Sequence, residues 1–389
     1  MIWPKSVLRR ILRGVAFGAG LAGLAYLAVA RRCVADFKAR GADRGDDQPP
    51  VTIFKPLCGD EPELAENLRS FCEQDYADFR VIFGITDSDD PARAVAERVR
   101  ASLPSHDIVV AVGGSETAGN PKVANLLNMA RAARGDILVI ADSDMRVDSK
   151  YLRALVAPFA DARIGAVTCL YRARPASGFA STLGAMYINA YFAPSVLVAA
   201  ALQRIGFALG ATIAVRRSIL EEAGGFAALA PHLADDYALG QLARSSGHDV
   251  YLSPYIVENS VTEPSLSTLV QHELRWARTI AAVRPAGYAL SGITFPFTLA
   301  LLYLLLGGNR RRGITLAAAA LASRASLQRV AYETLGVRRN DPLWLIPVRD
   351  ALAFGIWIAS FFGRRVTWRA RTLIQDRRGH LTGKEPAAW

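Results

Sequence analysis

The acidic residues of this chain fall where carboxylates can do chemistry. Asp142-Ser143-Asp144 closes the apolar run DILVIAD. Two acids separated by one residue at the end of a strand can jointly hold a hard divalent cation, which in turn binds a diphosphate. A second cluster, Asp87-Ser88-Asp89-Asp90-Pro91, follows FRVIFGIT. Asp90 before Pro91 reads as a helix cap, which leaves Asp87 at the strand end to accept hydrogen bonds from a nucleobase or ribose. Gly119-Asn120-Pro121-Lys122 opens the helical run KVANLLNMARAAR. Free amides at a helix start and a lysine in the first turn attract phosphate; a plain surface lysine is the competing reading. Asp235-Asp236-Tyr237 precedes the helical ALGQLARSS. Such a pair either compensates the helix dipole or supplies a general base for an alcohol, its neighbour raising its pKa by repulsion. Last comes His272-Glu273-Leu274-Arg275-Trp276. Here the arginine can bind phosphate while the indole lines an apolar slot, or it can simply pack on the tryptophan at a membrane boundary.

Positioning these residues requires a sheet. VTIFKPL, FRVIFGIT, DIVVAVG and DILVIAD are rich in β-branched and aromatic residues, and PELAENLRSFCEQ, ARAVAERVRASL and KVANLLNMARAAR between them have helical spacing. The alternation predicts an α/β domain, a mostly parallel sheet with helices on both faces, whose ligands gather at the carboxyl ends of the strands. The acidic clusters sit at those ends.

Composition adds a membrane. The 389 residues carry a net charge of +11 and are 51% hydrophobic but only 21% charged, with positive mean hydropathy. That excludes a disordered or coiled-coil chain. The basic residues cluster beside apolar segments, as lipid-headgroup anchors do, and no zinc-finger spacing or RNA-binding aromatic motif points to nucleic acid. Residues Ile11 to Ala30 form an apolar stretch long enough to span a bilayer. Arg31-Arg32 follows where a signal peptide would need small residues, so the segment reads as a retained anchor. Ala286 to Leu306 reads as a second spanning helix. Leu343 to Phe362, interrupted by Arg349 and Asp350, reads as a spanning, re-entrant or interfacial helix, and Ile314 to Leu335 as amphipathic. The four cysteines, Cys33, Cys58, Cys72 and Cys169, have no metal-ligand spacing and fit a reducing compartment. The expected organisation is an anchor over 1–38, a linker over 39–50, a catalytic domain over 51–285, and a membrane region with a basic tail over 286–389.

In combination, FKPLCGDEPELAENLRSFCEQDY, ITDSDDPA, GNPKVANL, ADSDMRV, ADDYALG and HELRW resemble the inverting GT-A glycosyltransferases, most closely their ceramide glucosyltransferase-like branch and its hopanoid-associated bacterial subgroup. The resemblance implies a Rossmann-like GT-A domain that binds a UDP-sugar, with Asp87 near the uridine and Asp142 and Asp144 at Mg²⁺ or Mn²⁺ and the diphosphate. It further implies Asp236 as base, and Arg275 with Trp276 closing over donor and acceptor. Lys122, Asp235 and His272 join the donor side. His272 stands where the family's closing motif usually has Gln or Arg. The implied reaction moves glucose or N-acetylglucosamine to a lipid hydroxyl, of a hopanoid polyol or a ceramide, at the cytoplasmic face of a bacterial inner membrane. Met186 to Leu209 is either the acceptor groove or a core helix. The rival readings are a processive polysaccharide synthase, which needs a channel of several spanning helices, and a noncatalytic nucleotide-sugar sensor.

Overall fold

A computed structural model describes residues 5–40, 47–114, 119–338, 341–363, 365–368, 371–376 and 379–384. Residues 41–46 of the expected linker, and Arg364, Arg369, Arg377 and Arg378 of the expected basic tail, lie outside the described residues. In chain order, α1 (Lys5–Lys38) leads to β1 (Val51–Leu57), α2 (Leu64–Cys72), β2 (Phe79–Ile85), α3 (Ala92–Ser102), β3 (Ile108–Val112), α4 (Pro121–Met129), β4 (Ile137–Ala141), β5 (Met145–Arg146) and α5 (Tyr151–Val156). There follow β6 (Ile164–Pro175), α6 (Gly178–Tyr187), α7 (Ala193–Leu202), β7 (Thr212–Arg216), α8 (Arg217–Glu222), α9 (Asp235–Ser245), β8 (Asp249–Val261) and α10 (Leu266–Val283). The chain ends with α11 (Pro285–Leu290), α12 (Pro296–Leu305), α13 (Arg310–Leu335), α14 (Leu345–Ser360), β9 (Arg365–Trp368), β10 (Arg371–Gln375) and β11 (Leu381–Lys384).

Among the described residues, eight strands form one sheet in the order β3, β2, β1, β4, β7, β6, β8, β5. The pairs from β3 to β4 and the β6–β8 pair are parallel, and the remaining pairs are antiparallel. β4, ILVIA, is apolar and buried throughout because both of its faces are covered. Alternate residues go to opposite faces. Ile53, Val81, Phe83 and Val139 pack with α2, α3 and α5, while Phe54, Ile82, Leu138 and Ile140 pack with α4, α8 and α9.

Beside this domain lies a layer of apolar helices. Two described helical stretches, Lys5–Lys38 and Gly178–Leu202, are long and apolar enough to cross a membrane; the pair Pro285–Thr294 and Pro296–Leu305 makes a third only if counted as one bent span. The two differ in surroundings. Only 22% of the apolar window of α1 is enclosed by protein, against 61% for Gly178–Leu202. Gly23 of α1 lets the helix approach α12 closely: a Cβ there would stand 2.3 Å from Ile293 O and 2.8 Å from Pro296 Cβ.

The segment Ala286 to Leu306, expected as a spanning helix, forms as two helical pieces, Pro285–Thr294 and Pro296–Leu305. The segment bends by 73°, because Phe295 precedes Pro296 and takes φ −112°, ψ 56°, outside the helical region that a residue before proline avoids. The expected Leu343 to Phe362 helix forms as the 16 residues of α14. The stretch from Met186 is helical up to Leu202, with a wide π turn at Ile188–Phe192. Pro194 has no amide to donate to the Ala190 carbonyl, and the Arg324 guanidinium donates to it instead at 3.3 Å. The tail folds as well. β11, β10 and β9 form a second sheet, and Leu381 N donates to Pro231 O at 2.9 Å, bringing the tail back to the loop before Asp235.

Candidate active site

The carboxyl ends of β1, β2 and β4 open into a cleft of about 1330 Å³. It brings together Lys122, Asp142, Asp144, Asp235, Asp236, His272, Arg275 and Trp276 from segments spread over most of the catalytic sequence. Asp87 is not among its lining residues. It lies exposed just beyond β2, its carboxylate accepting from Asp89 N at 3.0 Å, and the neighbouring Thr86 lines the cleft instead. Asp90 caps α3 as expected, accepting from Ala92 N at 2.9 Å, and also holds Gly59 N at 2.8 Å, fixing the loop after β1.

The turn from β4 into β5 presents Asp142 and Asp144. Because β5 pairs with β8 at Met145 and Asn259, Asn259 Nδ2 reaches Asp144 Oδ2 at 2.8 Å. Lys122 Nζ lies 2.7 Å from Asp142 Oδ1 and 3.5 Å from Asp235 Oδ2. The expectation of free amides at the start of α4 needs correction: the Asn120 side chain accepts from Lys122 N and Val123 N, so this end offers phosphate the lysine charge rather than those amides.

Asp236, in the first turn of α9, accepts from Gly210 N at 3.0 Å and from Tyr237 N at 2.7 Å. A Cβ on Gly210 would meet Asp236 Oδ2 at 3.2 Å and Asp142 Oδ2 at 3.4 Å, so this glycine marks the place where the two carboxylates converge. On α10 the spacing of His272, Arg275 and Trp276 puts all three on one face, and each lines the cleft. The His272 and Trp276 rings are 4.3 Å apart, and His272 Nδ1 lies 2.7 Å from Glu263 Oε1.

The electrostatics are those of an acidic pocket short of cations. Burial, with Asp142 and Glu61 nearby, pushes Asp144 up to about 7. Burial and the adjacent Asp235 push Asp236 up to about 6, against the opposing pull of Lys122. For Lys122 burial alone would favour the neutral form, but Asp142, Asp235 and Asp236 outweigh it and hold the ammonium charged.

Sequence reasoning missed the residue beneath this cluster. Lys55 is fully buried in β1, donates to the backbone oxygen of Asp142, and stands 3.8 Å from the Phe71 ring centroid. Burial draws it down to about 7, with Asp144 and Asp142 opposing. Its signal was available, since a lysine inside an apolar strand demands a partner. Gly210 and Asn259 carried no comparable signal.

Among the described residues no group of three or more His, Cys, Asp or Glu side chains is arranged to hold a metal ion. Asp142 and Asp144 supply hard oxygen donors of the kind that Mg²⁺ or Mn²⁺ takes in ones and twos when substrate phosphates and water complete the shell. The residues present therefore fit a metal shared with a diphosphate, not an all-protein cage.

The chain is similar to ceramide glucosyltransferase 3 of Caenorhabditis elegans, 25% identical over 239 residues that make up 61% of this chain and 52% of that protein. It is also similar to a ceramide glucosyltransferase of Komagataella phaffii, 36% identical over 103 residues, 25% of this chain and 20% of that protein. It thus spans about half the length, or less, of the curated relatives it matches. Among solved structures it resembles the mannosyltransferase PcManGT of Pyrobaculum calidifontis, determined with GDP-Man and Mn²⁺, with a TM-score of 0.55 and 18% identity over 90% of this chain and 99% of that one, a likeness of fold. The family model matches residues 15–380. With that match across sheet, cleft and apolar helices together, the chain belongs to glycosyl transferase family 21.

Proposed function

We propose that this chain is a membrane-bound inverting glycosyltransferase that moves glucose or N-acetylglucosamine from a UDP-sugar to the hydroxyl of a lipid, a hopanoid polyol such as bacteriohopanetetrol. The observation that carries the reading is the continuity of the cleft. Its acidic end holds Lys122, Asp142, Asp144 and Asp236, and its other arm is walled by Gly184, Ile188, Leu269 and Trp276 on the helices that adjoin the apolar layer. A charged donor and an apolar acceptor thereby meet at one place, which is the entropic part of catalysis.

In this reading Asp142 and Asp144 hold Mg²⁺ or Mn²⁺ against the diphosphate, and the bound ion supplies neutralisation of the leaving UDP. Lys122, with Asp235 behind it, and Arg275 face the same diphosphate, and His272 flanks it. Asp87 and the adjacent Thr86 take the uridine at the open end of β2. Asp236 removes the proton from the acceptor hydroxyl as its oxygen attacks the anomeric carbon opposite the departing UDP, so an α-linked donor gives a β-glycoside. Its two amide donors hold the carboxylate in place, and its raised pKa makes it a better base than an ordinary aspartate. Trp276 lines the slot between the substrates.

The organisation that goes with this reading is a catalytic domain over 51–285 on the cytoplasmic face of a bacterial inner membrane, anchored by residues 1–38 and by the 286–389 region. A ceramide acceptor is the second reading, favoured by the named function of the curated relatives. Mass spectrometry of lipids made by the purified full chain, offered both UDP-sugars and both acceptors, distinguishes them. A glycosylated hopanoid is expected, a glucosylceramide supports the second reading, and no glycolipid from any combination overturns both.

A further inference from the structure

Arg349 and Asp350, which interrupt the last apolar segment of the sequence, are 0% and 1% exposed. They face different neighbours. The Arg349 guanidinium grips Glu273 of α10 with two bonds, of 2.9 Å and 2.6 Å, and lies over the Tyr187 ring of α6 at 4.9 Å. Asp350 turns the other way, accepting from Thr298 N and Oγ1 of α12 at 3.0 Å and 2.8 Å, with Arg324 of α13 at 3.8 Å. Helix α14 is therefore the member through which α10 is tied to the apolar layer by charge rather than by packing alone.

Glu273 belongs to the same turn of α10 as His272, Arg275 and Trp276, on the adjacent buried stripe with Leu269 and Ala277, at the edge of the cleft that Leu269 and Glu273 help to wall. Fixing Glu273 fixes the rotation of the helix, and with it the direction of the cleft-facing residues. A well-packed apolar pair would hold such helices together about as firmly as a buried ion pair; what the fork-to-carboxylate geometry adds is a unique register.

We infer that Arg349 is a positioning residue for transfer: by clamping Glu273 it sets the rotation of α10, so that Arg275 and Trp276 meet the donor at the mouth of the apolar arm. The inference rests on the reading that this arm receives the lipid acceptor. Arg349 itself lies outside the cleft, among the helices of the apolar layer.

The test compares the wild-type chain in lipid nanodiscs with Arg349→Met and with the double variant E273M/R349M. The single variant leaves Glu273 buried and unpaired and is expected to fold poorly, whereas the double variant removes both charges and is expected to keep the wild-type melting temperature. In the double variant, kcat/KM for the lipid acceptor should fall by about 10²-fold, as a misplacement of about 1 Å can cause, while UDP affinity stays within about twofold. The loss should appear in kcat and acceptor KM, and hydrogen exchange should quicken along residues 270–278. A double variant with wild-type kcat, acceptor KM and exchange overturns the inference. If the wild type itself transfers to no lipid, the functional reading fails instead, and the exchange of α10 alone decides the clamp.

Discussion

Two buried charge clusters lie on either side of α10, and they are balanced differently. On the membrane side Arg349 meets Glu273 and Arg324 meets Asp350, each cation against one carboxylate. In the cleft, Asp142, Asp144, Asp235 and Asp236 face two lysines, Lys55 and Lys122. Matched charges have no use for a ligand and hold geometry. In the cleft, burial together with neighbouring carboxylates raises Asp144 and Asp236 above the usual carboxylate range, and the excess of carboxylates over lysines is one that a cation offsets. The contrast separates the part of the molecule that positions from the part that reacts.

The comparison can be broken from the reactive side first. Asp236→Asn should lower transfer by about 10² to 10⁴, the usual contribution of a general base, while calorimetry shows UDP-sugar binding unchanged; substantial transfer by this variant would remove Asp236 from that role. Asp142→Asn is expected to cost about 10² to 10³ in rate and to move the metal requirement upward in a Mn²⁺ titration of activity. The acidity of Asp236 gives the next largest effect. A base must be deprotonated, so kcat/KM should fall as the pH drops through the raised pKa of Asp236, at about 6, with protonation of Asp144, at about 7, adding to the loss. A flat kcat/KM profile between about pH 5 and 8 would contradict the assignment. Lys55→Met leaves the Asp142 carbonyl without its buried donor, and thermal unfolding should report a loss of about 1 to 3 kcal/mol. The smallest effect is expected at the exposed rim, where Asp87→Ala should raise the donor KM by no more than about tenfold and leave kcat alone.

The difference between the clusters also governs what could be read before the fold was known. Asp142, Asp144, Asp235 and Asp236 are legible because each sits at a junction the sequence itself displays, the end of an apolar strand or the start of a helix. His272, Arg275 and Trp276 are legible by spacing alone, since three and four residues make one helical face. Partnerships across the chain are not. Asn259 reaches Asp144 from 115 positions away, and Glu273 reaches Arg349 from 76 away. A charged pair inside an apolar segment therefore reads as an interruption of that segment, when in three dimensions it is the segment's attachment. The bend at Phe295 belongs to a middle class: Pro296 announces it, but the apolar length of Ala286 to Leu306 argues more loudly for one spanning helix.

The central claim is that the unmatched carboxylates of the cleft exist to hold a divalent cation and the diphosphate together. The most direct test is the affinity of the wild-type chain for UDP, measured by calorimetry in lipid nanodiscs with Mn²⁺ and again with a chelator. Without the ion the acidic cleft repels the diphosphate, and binding should weaken by about 10² or more. Equal affinity under both conditions would contradict the account.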